Sequence, residues 1–225
     1  MDLSPLYISI KTAMLSTIIT FFVGIYVSYK MALYNGKYKG ILDGLFIVPL
    51  VLPPTVIGFF LLLILGKNGL IGKILLYFDK NIIFSWSATV ISAVVVSFPM
   101  MYRSCRASFE QVDNSLILCA RTLGLSEWHI FRKIAMPLAY PGIIGGIILS
   151  FTRALGEFGA TLMIAGNIPG KTQTIPIAIF FNVESGNMQG AFFWVIMTLI
   201  ISFSMIIILN YWSDKQQELI GKRLK

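Results

Sequence analysis

Arg153 and Glu157 stand four positions apart inside an otherwise apolar run, the spacing that puts two side chains on one face of a helix. Either charge alone at the centre of a bilayer costs about 2.5–3.5 kcal/mol, so the two are expected to pair or to face water. A structural ion pair and a pathway element both stay open at this stage. A second group, Gly166–Thr172, reads GNIPGKT and suggests phosphate binding until the spacing is counted. It is one residue short of GxxxxGK[ST], and it follows an apolar run where a phosphate loop follows a strand. A turn made by Pro169 and Gly170 is the better reading. His129 is the single histidine, and Cys105 and Cys119 form no CxxC pair. Neither a metal site, a disulfide framework nor a hydrolytic constellation is supported, and no cofactor is expected on this chain.

The elements that position these residues belong to a membrane protein. Of 225 residues 56% are hydrophobic and 12% charged, with a mean hydropathy of +0.80; soluble domains carry about 25% charged residues. Apolar runs long enough to cross a bilayer recur, and they are continuous, which selects helices over barrel strands. Five spans are expected, at about 6–33, 41–65, 82–102, 139–165 and 190–212, forming one transmembrane domain over residues 1–225. The first run is too long for a signal-peptide core and is kept as structure. The formal charge of +8 is scattered between apolar runs and forms no stripe for nucleic acid.

That charge reports topology instead. Lys30, Lys37, Lys39, Arg103, Arg106, Arg121, Arg132, Lys133, Lys215, Lys222, Arg223 and Lys225 fall on one side. Only Lys67, Lys73, Lys80 and Lys171 fall on the other. The amino terminus is expected outside, the carboxyl terminus in the cytoplasm, and the chain in the cell membrane. Lys11 lies within two turns of its helix end, where anchoring by snorkelling is a simpler reading than attraction of anions.

Residues 103–138 form the longest polar connection. Ser126 is an N-cap candidate, and Trp128, Ile130, Phe131 and Ile134 form an amphipathic pattern expected to end at Pro137. Two short helices separated near Gly124 fit, either as a docking surface or as a helix resting on lipid head groups. In the fourth span Gly142, Gly146, Ser150 and Ala154 repeat every four residues, a groove for close approach of another helix. Thr174–Val183 is apolar but too short to span, so a partial helix at the outer mouth is expected.

The cytoplasmic connection then becomes recognisable: Leu118–Leu138, LCARTLGLSEWHIFRKIAMPL, resembles the signature of binding-protein-dependent ABC permeases. Ala120, Gly124, Ile134 and Pro137 match that signature, whereas Leu118 and Cys119 stand where Glu and Ala are usual and Met136 replaces Leu. Downstream, FTRALGEFGATLMIAGNIPGKTQTIPIAI at Phe151–Ile179 resembles the molybdate branch. Sulfate permeases share RxLGEFGA and AGNIPGKT, so the distinction leans on TQTIPIAI and on GKNGLIG at Gly66–Gly72.

The resemblance implies an all-α type I ABC importer permease, working as a homodimer with a cytoplasmic ABC ATPase dimer and an extracytoplasmic molybdate-binding protein. ATP and magnesium would sit on the ATPase. The coupling residues would be Ala120, Arg121, Thr122, Leu123, Gly124, Leu125, Ser126, Glu127 and Trp128, with Ile134 and Pro137. A short helix from about Arg121 to Ile130 would sit in a cleft of the ATPase. Asn167, Pro169, Gly170, Lys171, Thr172, Gln173 and Thr174 would form the outer-mouth loop. The alternatives are a sulfate, thiosulfate or tungstate permease of the same build, an ion-coupled secondary transporter, which inverted repeats and broken helices would favour, and a membrane-embedded enzyme.

Overall fold

The computed structural model describes residues 2–79 and 81–223, with side chains as far as Ile207. Lys80 and Lys225 therefore lie outside the described residues, as do the side chains of Trp212, Lys215, Lys222 and Arg223. Every element among the described residues is helical. In chain order these are α1 (Ser4–Leu33), α2 (Lys39–Val51), α3 (Pro54–Leu65), α4 (Leu70–Tyr77), α5 (Trp86–Glu110), α6 (Asn114–Thr122) and α7 (Glu127–Ile130). A π-helical turn (Phe131–Ala135) leads into α8 (Met136–Leu138), α9 (Tyr140–Leu155), α10 (Gly159–Ala165), α11 (Ile175–Glu184) and α12 (Met188–Arg223).

Three helices are long and apolar enough to cross a bilayer unaided, and two bent pairs raise the number to five if each is one span. The centre is built by α1, α5 and α9. Thr12 meets Thr89 at 3.1 Å and the Ser28 hydroxyl donates to the Tyr102 carbonyl at 3.0 Å, so α1 and α5 run parallel. Ser104 donates to the Gly142 carbonyl at 2.7 Å and Ser150 to that of Ser97, so α9 runs antiparallel to both. Lipid offers helices no hydrophobic reason to associate, and close approach at small residues with hydroxyl hydrogen bonds supplies what holds them. At Gly146 an added Cβ would lie 2.8 Å from the Met101 sulfur, and at Gly142 it would collide with Ser108. The stripe Gly142, Gly146, Ser150 and Ala154 thus lies on a closely packed face of α9: the first three meet α5, and Ala154 joins a cluster with Ala13, Ala93 and Phe151.

The expected spans need correction in four places. The second, 41–65, is not one helix: it breaks at Leu52–Pro53, and α2 and α3 make an angle of 111°. Pro54 sits in the first turn of α3, where its missing N–H is no loss, so the break leaves one donor fewer to satisfy. The fourth, 139–165, is interrupted at Gly156–Phe158 between α9 and α10. The third starts at Trp86 and continues past Tyr102 to Glu110, carrying Arg103 and Arg106 on a helix and not in a loop. Hydropathy marks where a helix leaves lipid, and the backbone ladder has no reason to stop there. Finally, Pro137 does not end the amphipathic segment. It occupies the first turn of α8, and the helical path runs on into α9 after a 75° bend.

Candidate functional site

The polar segment between α5 and α9 folds as a hairpin of α6 and α7. The Asp113 carboxylate accepts from the Ser115 amide at 2.9 Å and caps α6; this hydrogen bond holds its pKa below the usual carboxylate value. The other end of α6 closes with the Leu125 amide on the Ala120 carbonyl and the Gly124 amide on that of Arg121. This is the Schellman arrangement, which needs a left-handed residue after the helix. Gly124, at φ 79°, supplies it. Ser126 then caps α7 by accepting from the His129 amide. Across the turn Arg121 makes two hydrogen bonds to Glu127, at 2.7 and 3.1 Å. The carboxylate of Glu127 titrates below its ordinary range because the guanidinium of Arg121 donates to it.

Beneath this turn Ile117, Ala120 and Ile130 form a small buried cluster with Leu33, Val112 and Ile134 at its edge. The hairpin is therefore tied to α1 as well as to its neighbours in sequence. Its outward side carries Leu118, Leu123, Leu125 and Trp128, the last 66% exposed. Thr122 and Gly124 are exposed too, and nothing lies within 4 Å of a Cβ built on Gly124. Arg121–Ile130, expected as one short helix, is instead the end of α6, the turn and α7. The glycine divides it, because only a reversal of the chain lets both helices share the Ile117–Ile130 cluster.

Arg153 and Glu157 meet within the chain. Nη1 of Arg153 lies 2.7 Å from Oε2 of Glu157, whose side chain is 2% exposed. The other carboxylate oxygen accepts from the Ala160 amide at 2.8 Å. The carboxylate thus occupies the first turn of α10, where helix amides lack partners and the helix dipole is positive. In this geometry the pair holds α9 and α10 together across the break. Gly159, beside it, packs on Pro54 and Thr55, and Gly58 packs on Ala160 and Met163, so the interruptions of the second and fourth spans touch.

Beyond α10 the loop turns on itself. The amides of Lys171, Thr172 and Gln173 all reach the Ile168 carbonyl, at 2.9–3.2 Å, so none is free to cradle a phosphate. Thr172 is fully buried and its hydroxyl accepts from the Ile168 amide; Gln173 donates to Asn167. Gly170 has φ 72° next to Pro169, and Lys171 is exposed. Thr174 precedes α11, whose first amide, that of Ile175, donates to Ser9 of α1 at 2.7 Å. Lys11 is exposed on α1, and its ammonium sits 4.0 Å over the Trp86 ring.

One polar cluster has no counterpart in the sequence reading. Asp43 of α2 accepts from Arg106 and, at 2.8 Å, from the Tyr102 hydroxyl of α5. Arg106 also donates to Glu110, which Lys39 approaches at 3.4 Å. Although α2 buries no side chain of its own, this network and the Phe46 ring, 5.2 Å from that of Tyr102 and 5.9 Å from that of Phe98, attach it to α5. The residues lie 59 to 71 positions apart in Lys39–Asp43 and Tyr102–Glu110, so no local spacing announces them. Among the described residues no three His, Cys, Asp or Glu side chains gather to hold a metal.

Comparison with known proteins gives this arrangement a context. Residues 10–217 match the family described as binding-protein-dependent transport system inner membrane component. The molybdenum transport system permease protein ModB of Haemophilus influenzae is 37% identical over 224 residues, 99% of this chain and 98% of that one. Among solved structures, a bacterial ABC transporter that imports alginate superposes with a TM-score of 0.75 at 13% identity, over 95% of this chain and 79% of that chain. The inward-facing MetNI methionine ABC transporter superposes with a TM-score of 0.72 at 13% identity, over 94% of each.

Proposed function

Because this chain belongs to the family of inner-membrane components of binding-protein-dependent transport systems, we propose that it is the membrane-spanning subunit of an ATP-driven molybdate importer. The observation that carries the substrate is the 37% identity, over nearly the whole of both chains, with a molybdenum transport permease. The permease itself is a multi-pass inner-membrane protein and not an ATPase. Two copies would form the pathway, with a molybdate-binding protein outside and an ABC ATPase dimer below, the kind of partner the family description names in part.

In this reading the Leu33 end of α1, where Lys30, Lys37, Lys39, Arg103, Arg106, Arg121, Arg132 and Lys133 gather, faces the cytoplasm. The α6–α7 hairpin is then the handle held by the ATPase, and its exposed Leu118, Leu123, Leu125 and Trp128 are the apolar contacts. Leu118, standing where glutamate is usual in the family signature, adds an exposed apolar side chain to this surface. The handle suits force transmission because it is capped at both helices, bridged by Arg121–Glu127 and joined without an unstructured linker to α9. A push on it moves α9, and through the Arg153–Glu157 clamp it moves α10 and the loop beyond. ATP binding would favour one orientation of these rigid parts and hydrolysis the other, a population shift driven by differential affinity. Selection of the oxyanion falls to the external receptor, since a deep well within the path would trap the ion.

Reconstitution with the ATPase and receptor tests this directly. ATPase stimulation should follow molybdate-loaded receptor more strongly than tungstate- or sulfate-loaded receptor. Equal stimulation by sulfate would reassign the substrate, and ATP hydrolysis by the purified chain alone would contradict the division of labour. Gly124→Glu should separate ATP hydrolysis from uptake while membrane insertion stays intact; undiminished transport would remove the hairpin from the coupling path.

A further inference from the structure

A groove of about 430 Å³ opens between the last turns of α1 and the α7 and π-helical segment. Its wall is apolar, made by Phe22, Ile25, Tyr26, Phe131 and Met136, and its rim carries Lys30, Arg132 and Glu127. Glu127 is already held by two hydrogen bonds from Arg121. Lys30 and Arg132 are exposed and have no acidic partner among the described residues, so the rim is left with uncompensated positive charge. Tyr29 lines the same groove; it is 7% exposed, yet its hydroxyl has no hydrogen-bond partner among the described residues. A buried hydroxyl without a partner is costly, so the packing at the base of the groove is incompletely satisfied.

The depth of the groove identifies the class of ligand. From Lys30 back to Phe22 is eight residues, about 12 Å along the helix, most of one leaflet of a hydrocarbon core about 30 Å thick. The apolar wall therefore runs along the acyl region, and the exposed Lys30 and Arg132 sit where head groups begin. Lys30 also approaches the Tyr26 ring at 5.9 Å, which keeps its ammonium beside the groove mouth. We infer that this groove binds an anionic phospholipid, its phosphate between Lys30 and Arg132 and one chain lying along Phe22 and Tyr26. The inference depends on residence in a membrane and not on the transported ion, so it stands or falls separately from the molybdate reading. A lipid seated there would brace α1 against the base of the hairpin.

The test is native mass spectrometry of the full-length protein in neutral detergent, titrated with phosphatidylglycerol and with phosphatidylcholine of the same chains. One phosphatidylglycerol per chain should be retained roughly thirtyfold more tightly than phosphatidylcholine, the preference two basic contacts confer. Lys30→Gln with Arg132→Gln should abolish the preference, and the charge-keeping Lys30→Arg with Arg132→Lys should retain it. The single variants Lys30→Gln and Arg132→Gln, each expected to lower the preference about fivefold, keep the test readable if the neutral pair does not fold. Equal retention of the two lipids, an unchanged preference in the neutral variant, or displacement by millimolar inorganic phosphate would each overturn the proposal. So would a cross-link showing that a second copy of the chain fills the groove.

Discussion

Two interruptions of the helical path are bridged by the same chemical device in different solvents. Between α6 and α7 the pair Arg121–Glu127 spans a turn, with side chains 41% and 61% exposed. Between α9 and α10 the pair Arg153–Glu157 spans a break in a membrane-spanning segment, with side chains 25% and 2% exposed. At the hairpin the glycine turn satisfies the backbone, through the Schellman bonds, and the ion pair is an addition. At the membrane break the Glu157 carboxylate shares that work, because it is the acceptor for the Ala160 amide and lipid offers no substitute. Equal distances of 2.7 Å thus conceal unequal consequences.

The contrast can be broken most forcefully at Glu157. Glu157→Ala should destabilise the protein by about 3–5 kcal/mol, since it leaves a partly buried guanidinium and a helix amide unpaired; reversible unfolding in mixed micelles measures this. A loss under about 1 kcal/mol would show that water reaches the break. Removing both charges, Arg153→Met with Glu157→Gln, should restore about 2 kcal/mol of that loss, because the stranded charge is gone. Gly124→Val should cost about 1–2 kcal/mol through left-handed strain alone, there being open space around its Cβ. Protection of the hairpin from hydrogen exchange reads this locally.

Glu127→Ala comes next, at less than about 1 kcal/mol and shrinking with added salt, as exposed pairs do. Smallest is the pH effect at the same residue. Its folded pKa lies below the ordinary 4.5, so its contribution is complete above 4.5 and disappears as pH falls through the lower folded value. Exchange protection at the hairpin should weaken only in that acid window, and Glu127→Gln should reduce the dependence to the part that the Asp113 cap contributes. Loss of protection between pH 6 and 8 would point to some other group.

The first, third and last spans were legible from hydropathy because long apolar runs have one solution in lipid. The hairpin was legible as two short helices around Gly124, since Ser126 and Gly124 are local signals whose meaning depends on adjacent residues. The breaks were not read, although Pro53–Pro54 and the Gly156–Glu157 step after Arg153 are visible in the chain. Mean hydropathy stays high through both, and it reports solvent and not backbone continuity. Nor could the Asp43–Arg106–Tyr102 cluster be read, because its members meet only when α2 lies against α5.

By itself the sequence determined the medium, the helical class, the family and the position of the α6–α7 hairpin. Each follows from composition or from residues near one another in the chain. The tertiary structure alone decided that Glu157 serves Arg153 and the α10 amide at once, that Asp43 joins α2 to α5, and that a charged rim meets an apolar groove beside Tyr29. Burial and partnership are properties of the assembled helices: the cost of a charge or a hydroxyl depends on what surrounds it, and those surroundings come from segments remote in sequence.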